Sequence, residues 1–424
     1  MYSAETSPPE VHMSVASLLS IHGDRLNHNL NTLAEIGKLA KGGVRRISFS
    51  QEDQLARQLV KNWMEEAGMT TCVDTAGNLI GRYKGKRNLP ALATGSHIDS
   101  VPSAGRYDGT LGVLAGIEVV RALKYNQIVL DHPVEVIVFT DEESSMIGGK
   151  AIAGTLNPDP EYYRRKDGMS IQECLQRVGG NWDAIDTSRR SREDMAAFVE
   201  LHVEQGGVLE SQQAEIGVVQ GIVSMNRYNL TVTGSPNHAG TTPMDMRQDA
   251  LVAASQIVLT VNQFANHLAD GIVATVGALN VWPNATNIVP GRVELTLDIR
   301  DLSTQNVMAL VERLKSQIEA IAQQNQTLIE MEPALNAMPT LSSPNIMKAI
   351  AQVSNQLNLR YVELPSRAGH DAQEVGRVTD MGMIFVPSRG GISHSEDEYT
   401  PPEQCTQGAD VLLNTLIQLD TEYS

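Results

Sequence analysis

Five of the ten histidines lie among glycine, serine and acidic residues, a setting typical of metal-binding or catalytic imidazoles. They are His97, His202, His238, His370 and His394. Asp99 follows His97 by two residues, so its carboxylate is close enough to fix the tautomer of a ligating imidazole. Asp108 follows in Tyr-Asp-Gly before a predicted helix, where a lone aspartate is commonly an N-cap. Its combination with a His-x-Asp sequence favours a metal site instead.

Three consecutive carboxylates, Asp141, Glu142 and Glu143, follow the apolar run Val134–Thr140. Carboxylates at the end of a buried strand are costly unless a positive charge compensates them. In α/β sheets this edge is also where binding sites form. Because neighbouring side chains point apart, one glutamate can hold a metal while the other faces the substrate as a base. The alternative is a solvated acidic loop.

His202 lies in a strand-like run, with Glu200 and Glu204 on its face, which a purely structural core strand would not tolerate. His394 lies in a turn after another apolar run. Three histidines and two carboxylates from separate segments suit zinc or a similar divalent ion. Asp108 has two carboxylate oxygens and is a natural bridge between two metals.

Strand-like and helix-like patterns alternate on both sides of a central insertion and predict an α/β sheet covered by helices on both faces. Predicted strands are 89–96, 134–140, 198–203 and 383–386, and predicted helices are 54–68, 110–123 and 345–357. The intervening pattern is β-α-β-β-α-β, which matches a ferredoxin-like module. Its predicted strands are 228–232, 272–281, 292–299 and 327–331, and its helices are 248–268 and 305–323. We therefore predict a discontinuous catalytic domain of residues 1–218 and 334–424, with an inserted domain of residues 219–333.

Composition excludes several classes of partner. Lysine plus arginine total 33 against 50 aspartate plus glutamate, a net charge of −17, which disfavours nucleic acid and anionic membranes. The three cysteines are too far apart for a disulfide framework or a thiolate zinc site. We see neither a secretion signal nor an apolar run of about 18 residues, so we expect a cytoplasmic protein with no membrane span.

These segments resemble the dinuclear metallohydrolases that include aminoacylase, carboxypeptidase G and dipeptidase-type enzymes. They are most similar to the carbamoylase branch, the N-carbamoyl-L-amino acid hydrolases and allantoate amidohydrolases. The matching sequences include GSHIDS at 95–100, TDEE at 140–143, ELHVEQG at 200–206, NHAGTTPM at 237–244, DIRD at 298–301, AGHDA at 368–372 and GISHS at 391–395. The resemblance implies a zinc-peptidase-like catalytic domain with a mixed central sheet flanked by helices. It also implies an inserted ferredoxin-like α+β domain for lid closure and dimerisation.

The family pattern implies two divalent metal ions per subunit, zinc or else manganese, cobalt or nickel. One ion would be held by His97, Asp108 and His202, and the other by Asp108, Glu143 and His394. The resemblance makes Glu142 the general base and His238 the residue that stabilises the oxyanion. We count Asp99 among the catalytic residues as the carboxylate that orients His97. Arg300 would clamp the substrate carboxylate, and the other substrate contacts would be Gln205, Asn287 and Gly369.

The expected activity is hydrolysis of N-carbamoyl-L-amino acids to amino acid, ammonia and carbon dioxide by a homodimer. Allantoate amidohydrolase is the first alternative, and an aminoacylase or dipeptidase is the second. A metal-free binding protein is disfavoured because all five ligand positions and Glu142 are present. The chain departs from the branch at Met146 and Ile147, where arginine and phenylalanine are expected, so substrate identity stays open. Hinges are expected near residues 217–221 and 334–343.

Overall fold

The computed structural model describes residues 18–267 and 271–424, so the predicted helix end at Leu268 lies outside the described residues. The strands within these ranges are β1 (Thr70–Val73), β2 (Leu79–Tyr83), β3 (Ala91–His97), β4 (Val134–Phe139), β5 (Met195–Val203), β6 (Ile216–Ile222), β7 (Met225–Thr233), β8 (Asn237–His238), β9 (Val273–Trp282), β10 (Ile288–Val289), β11 (Arg292–Arg300), β12 (Leu328–Ala337), β13 (Thr340–Leu341), β14 (Tyr361–Ser366) and β15 (Asp380–Val386).

The α-helices of the same ranges include long, core-packing helices and short connecting ones. They are α1 (Gly23–Ala34), α2 (Gln51–Ala67), α3 (Thr110–Tyr125), α4 (Ile147–Ala153), α5 (Ile171–Arg177), α6 (Val208–Gln212), α7 (Ala250–His267), α8 (Thr304–Asn325), α9 (Pro344–Gln356), α10 (Asp371–Val375) and α11 (Pro402–Glu422). Among these described helices none is long and apolar enough to cross a membrane.

A nine-stranded mixed sheet, in the order β1-β2-β4-β3-β5-β15-β6-β13 with β14 paired to β6, forms the centre of the larger body. Strands β4, β3, β5 and β15 are neighbours and run parallel. Strands β3, β4 and β5 are buried along their whole length, as expected for parallel strands covered on both faces. The central mixed sheet flanked by helices confirms the predicted fold class.

The parallel direction of these four strands brings their carboxyl ends to one edge. Strand β3 ends at His97, β4 leads into Asp141, β5 contains His202 as its next-to-last residue, and the segment after β15 leads to His394. The strand geometry therefore gathers segments that are far apart in the chain.

A separate antiparallel sheet, in the order β12-β7-β11-β9, forms the smaller body. Helices α7 and α8 connect its strands in the order β-α-β-β-α-β and pack against it through a core of their own. Strand β11 has period-two burial, with Val293, Leu295, Leu297 and Ile299 facing that core.

The chain crosses between the two sheets at residues 223–224 and 338–339. Strand β6 continues to Ile222 inside the large sheet, and β12 continues to Ala337 inside the small one. Each strand spans one of the junctions predicted at 218/219 and 333/334, so the crossings lie four to five residues further along the chain.

Candidate metal centre

Three donors meet at the ends of β3 and β5 and at the start of α3. The Nε2 atom of His202 lies 3.1 Å from Oδ1 of Asp108, and Nε2 of His97 lies 3.7 Å from the same oxygen. All three side chains are buried, and their donor atoms lie within 4.8 Å of one another. Gly109 makes this approach possible, because its φ is +66° and a Cβ there would lie 2.5 Å from Nε2 of His97.

The remaining ring nitrogens of these histidines are held by main-chain carbonyls. Nδ1 of His97 lies 3.0 Å from the carbonyl of Asp99, and Nδ1 of His202 lies 2.8 Å from the carbonyl of Val203. When Nδ1 donates to a carbonyl, Nε2 is the nitrogen that faces Asp108, and it carries a lone pair for a metal whenever the ring is neutral. In His202 this nitrogen also lies 3.1 Å from the main-chain N–H of Gly109. Both imidazoles are thus preorganised to present Nε2 towards Asp108.

A second set of donors shares Asp108 with the first. Oδ2 of Asp108 lies 3.2 Å from Nε2 of His394, which in turn lies 3.6 Å from Oε2 of Glu143. These donor atoms also fall within 4.8 Å of one another. Each oxygen of Asp108 therefore faces one donor set, which is the arrangement expected of a carboxylate between two cations. The His394 side chain is 49% exposed, so the second set lies nearer to solvent.

The predicted orienting role of the Asp99 carboxylate is wrong for His97, because the hydrogen-bonding distance is to the Asp99 carbonyl. The nearer carboxylate oxygen is 3.7 Å from Nδ1 of His97. The other oxygen accepts hydrogen bonds from Oγ of Ser48 at 2.7 Å and from the main-chain N–H of Glu143 at 3.3 Å. The turn after β3 brings the carbonyl closer, and the carboxylate instead anchors the segment that carries Glu143.

The centre concentrates negative charge in a buried place. Burial and then the neighbouring Asp371 and Glu143 raise the pKa of Glu142 well above its ordinary value. Burial and then Asp108 raise the pKa of Glu143 to about 8. Oε2 of Glu142 lies 3.6 Å from Nε2 of His97 and is therefore next to the first donor set. Because divalent cations relieve such repulsion, the donor set fits a metal-loaded centre.

The imidazoles of His202 and His394 compensate the negative charge of Asp108. Burial alone would raise the pKa of Asp108, but hydrogen bonds with His202 and His394 hold it well below its ordinary value. Burial opposes protonation of His202, yet the Asp108 hydrogen bond raises the pKa of His202 to about 9. The same carboxylate raises the pKa of His394 to about 9. Cations would take over this compensation from the imidazole protons.

A cavity of about 220 Å³ opens onto both donor sets. Its walls are His97, Asp108, Glu142, Glu143, Ser144, Met146, His202, Gln205, Ala368, Gly369, His370 and His394. Two predicted substrate contacts, Gln205 and Gly369, are thus at the centre. Nε2 of Gln205 lies 3.1 Å from Oδ2 of Asp108, so the amide borders the shared carboxylate.

The other three predicted substrate contacts do not line this cavity among the described residues. Arg300 ends β11 of the small sheet, whereas His238 is in β8 and Asn287 precedes β10, two strands that form a separate two-stranded sheet. His238 and Asn287 are exposed neighbours, since β8 pairs with β10 and the N–H of Ala239 donates to the carbonyl of Asn287. Arg300 lies at the junction of the two bodies, where Nη1 donates to the carbonyl of Arg367 at 2.7 Å.

His370 and Met146 are among the cavity residues that received no role from the sequence. His370 packs edge-on against His202, with ring centroids 4.5 Å apart, and its Nε2 lies 2.8 Å from Oγ of Ser366. The sequence signal that could have identified His370 as a site residue was its position in the segment Ala-Gly-His-Asp. Met146 lies at the start of α4 with a φ of +55° and lines the cavity, whereas the adjacent Ile147 is buried.

Comparisons with known proteins place the chain among related hydrolases. The sequence profile of peptidase family M20/M25/M40 matches residues 93–418. The chain is 39% identical to an N-carbamoyl-L-amino acid amidohydrolase of Geobacillus stearothermophilus, over 94% of this chain and 99% of that relative. It is 33% identical to an allantoate deiminase of Arabidopsis thaliana, over 87% of this chain and 77% of that relative. An amidase structure of the hydantoinase/carbamoylase family from Burkholderia multivorans is 36% identical, covers 94% of this chain and 98% of its own, and has a TM-score of 0.88.

Proposed function

The chain belongs to peptidase family M20/M25/M40, and we propose that it hydrolyses N-carbamoyl-L-amino acids with two divalent metal ions. The observation that carries this proposal is the shared carboxylate of Asp108, with one oxygen towards each donor set. The similarity to an N-carbamoyl-L-amino acid amidohydrolase over nearly the full length of both chains supports the substrate class.

Two donor sets hold the ions in this proposal. His97, Asp108 and His202 hold one, and Asp108, Glu143 and His394 hold the other. When bound, the ions supply Lewis acidity that polarises the ureido carbonyl and lowers the pKa of a water molecule. Imidazole and carboxylate donors accept zinc, manganese, cobalt or nickel, so the donor set leaves the metal open.

The protein side chains move the proton and hold the substrate. Glu142 takes a proton from the attacking water and delivers it to the amino acid nitrogen as the bond between that nitrogen and the carbamoyl carbon breaks. The released carbamate then decomposes to ammonia and carbon dioxide. Gln205 and Gly369 contact the substrate from the cavity wall, where the structure has them.

The remaining contacts in this proposal come from the small sheet and from the two-stranded sheet of β8 and β10. The Arg300 guanidinium binds the substrate carboxylate through two parallel hydrogen bonds, Asn287 adds a polar contact, and His238 donates to the oxyanion. Because these groups lie outside the cavity lining, we propose that the small sheet acts as a lid that closes over substrate. We also propose a homodimer, in which the exposed His238 serves the partner's site.

Allantoate is the second candidate substrate, because the chain is also similar to an allantoate deiminase. Both molecules present a ureido group and a carboxylate, so the same donors would serve. They differ in the substituent on the carbon that bears the carboxylate, a side chain in one and a second ureido group in the other, and in this proposal that substituent lies against Met146.

The test is a substrate panel with the full-length protein, first chelated and then supplied with zinc or manganese. Ammonia release is measured from N-carbamoyl-L-amino acids and allantoate, and free amino acid release from N-acetyl-L-amino acids. Metal-dependent ammonia release from N-carbamoyl-L-amino acids is expected. Ammonia from allantoate alone would select the second candidate. Turnover only of N-acetyl-L-amino acids would reject the carbamoylase assignment, as would no turnover at all by a metal-loaded protein.

A further inference from the structure

The buried carboxylate of Glu398 connects the two chain segments that carry the shared aspartate and the exposed histidine. Oε1 of Glu398 accepts hydrogen bonds from the main-chain N–H of Tyr107 at 2.9 Å and of Asp108 at 3.2 Å. Oε2 accepts a hydrogen bond from Oγ of Ser393 at 3.2 Å, immediately before His394. The Glu398 residue is 5% exposed, so these contacts replace water rather than compete with it.

Packing leaves little space for this carboxylate to move. A Cβ at Gly105 would lie 2.4 Å from Cβ of Glu398, so the loop before Asp108 presses directly on the side chain. The next residue, Tyr399, packs edge-on against Tyr107 with ring centroids 5.9 Å apart. Two consecutive residues therefore fasten the same loop.

We propose that Glu398 is a positioning residue that sets the distance between the two donor sets. The main chain of Asp108 determines where its carboxylate lies between the sets, and the turn at Ser393 determines where His394 meets Oδ2 of Asp108. Glu398 fixes both with one carboxylate, across nearly 300 residues of sequence. The proposal rests on the proposed two-metal site, although it does not depend on which substrate that site cleaves.

Two substitutions of Glu398, by glutamine and by alanine, differ in the hydrogen bonds that they retain. In Glu398→Gln the amide oxygen can still accept from both N–H groups, and the amide NH₂ can donate to Oγ of Ser393. Glu398→Ala loses all three contacts and leaves buried N–H groups unpaired. If Glu398 acts through these hydrogen bonds, Glu398→Gln should retain the metal affinity that Glu398→Ala loses.

The experiment measures metal binding to the full-length protein with zinc and with cobalt. Zinc stoichiometry is determined by mass spectrometry after dialysis against limiting metal, and the visible absorption of bound Co²⁺ reports ligand geometry. We expect Glu398→Ala to bind the more weakly held ion about 10- to 100-fold less tightly, with an altered cobalt spectrum. Glu398→Gln should resemble the unmodified protein, as should Asp397→Ala, which removes an exposed charge one residue away.

Two results would overturn the proposal. Glu398→Ala could retain both ions with unchanged affinity and spectrum, or Glu398→Gln could fail as completely as alanine, which would assign the effect to charge. If Glu398→Ala does not fold, Glu398→Asp keeps the charge but is one methylene shorter, so it cannot reach both segments and should still weaken the same ion. Unchanged affinity in Glu398→Asp would reject the positioning role. Absence of metal from the unmodified protein would instead reject the proposed function, so the two failures are distinguishable.

Discussion

The two bodies of the molecule differ in how completely they prepare their share of the chemistry. At the carboxyl edge of the large sheet, His97, Asp108 and His202 are buried, and carbonyl partners orient both imidazoles. In the inserted segment, His238 and Asn287 are exposed at the two-stranded sheet of β8 and β10. The proposed metal donors are therefore arranged within a single chain, whereas the proposed carboxylate and oxyanion contacts require a further approach of the inserted segment or of a partner chain.

Because of this difference, substitutions in the two bodies should affect different measurable properties. Changes in the large body should alter metal binding or the chemical step. Changes in the small body should alter substrate affinity and leave the metals in place. Arg300 connects the two bodies through hydrogen bonds. Its Nε donates to Oδ1 of Asp298 at 2.7 Å, and its Nη1 donates to the carbonyl of Arg367.

The largest effect is expected from Glu142→Gln. Loss of the proton acceptor should reduce kcat by about 10³-fold, because general base catalysis contributes on that order. Glu142 belongs to neither proposed donor set, so metal stoichiometry should stay unchanged. Steady-state kinetics and metal analysis are measured together. Retained turnover would remove Glu142 from the role of base, and loss of metal would make it a ligand.

Arg300→Lys tests the small body. Lysine cannot form the two parallel hydrogen bonds, so KM should rise and kcat/KM should fall by about a hundredfold with both metals retained. The matched control is Arg292→Lys, an exposed arginine at the other end of β11. If KM does not change, or if the control behaves in the same way, Arg300 does not bind the substrate carboxylate.

Met146→Ala tests which part of the substrate lies against the cavity wall. Met146 is the one large apolar side chain in the described cavity lining, so it should contact the side chain of the substrate. Its truncation should lower kcat/KM for N-carbamoyl-L-methionine by about tenfold and leave N-carbamoylglycine, which has no side chain, unaffected. Met244→Ala, at an exposed methionine, is the control. Equal losses on both substrates would contradict this contact.

The smallest effect concerns the pH dependence of stability without metal. The pKa of Glu143 is raised to about 8 and those of His202 and His394 to about 9 in the folded chain. The stability that each of these groups contributes is fully present below the pKa that the group has in the unfolded chain, about 4.3 for Glu and 6.5 for His. This stability is lost as the pH rises through the pKa of the group in the folded chain. The Tm of the chelated protein should therefore fall by a few degrees between about pH 5 and 9. Added metal should raise Tm most at high pH, and a Tm that rises with pH after chelation would contradict this assignment.

Much of the fold could be predicted because its central elements have strong periodicity. The predicted strand 134–140 is β4 within one residue, and the six elements of the small sheet occur in the predicted order. The short edge strand β1 and the one- to two-turn helices α4, α6 and α10 were not predicted, because so few residues establish no period. The chain changes sheets a few residues after the predicted junctions, because β6 continues to Ile222 and β12 continues to Ala337 beyond a register shift between Pro333 and Leu335.

The candidate site also has features that could be predicted from the sequence and features that could not. His97, Glu143 and His202 could be placed together because parallel strands share a carboxyl edge. The choice between the carbonyl and the carboxylate of Asp99 depends on the turn after β3, which no spacing specifies. Glu398 could not be found from its neighbours, since its partners at Tyr107 and Asp108 are about 290 residues away.

In the proposed mechanism, hydrolysis requires two metal ions that share Asp108 as a ligand, with Glu142 as the general base. The most direct test adds zinc or manganese stepwise to the chelated full-length protein and follows ammonia release from N-carbamoyl-L-methionine against equivalents of metal bound. We expect activity to reach its maximum only at two equivalents, and Glu142→Gln to bind the same two equivalents without turnover. Full activity before any metal is added, or a maximum at one equivalent, would contradict a shared two-metal centre.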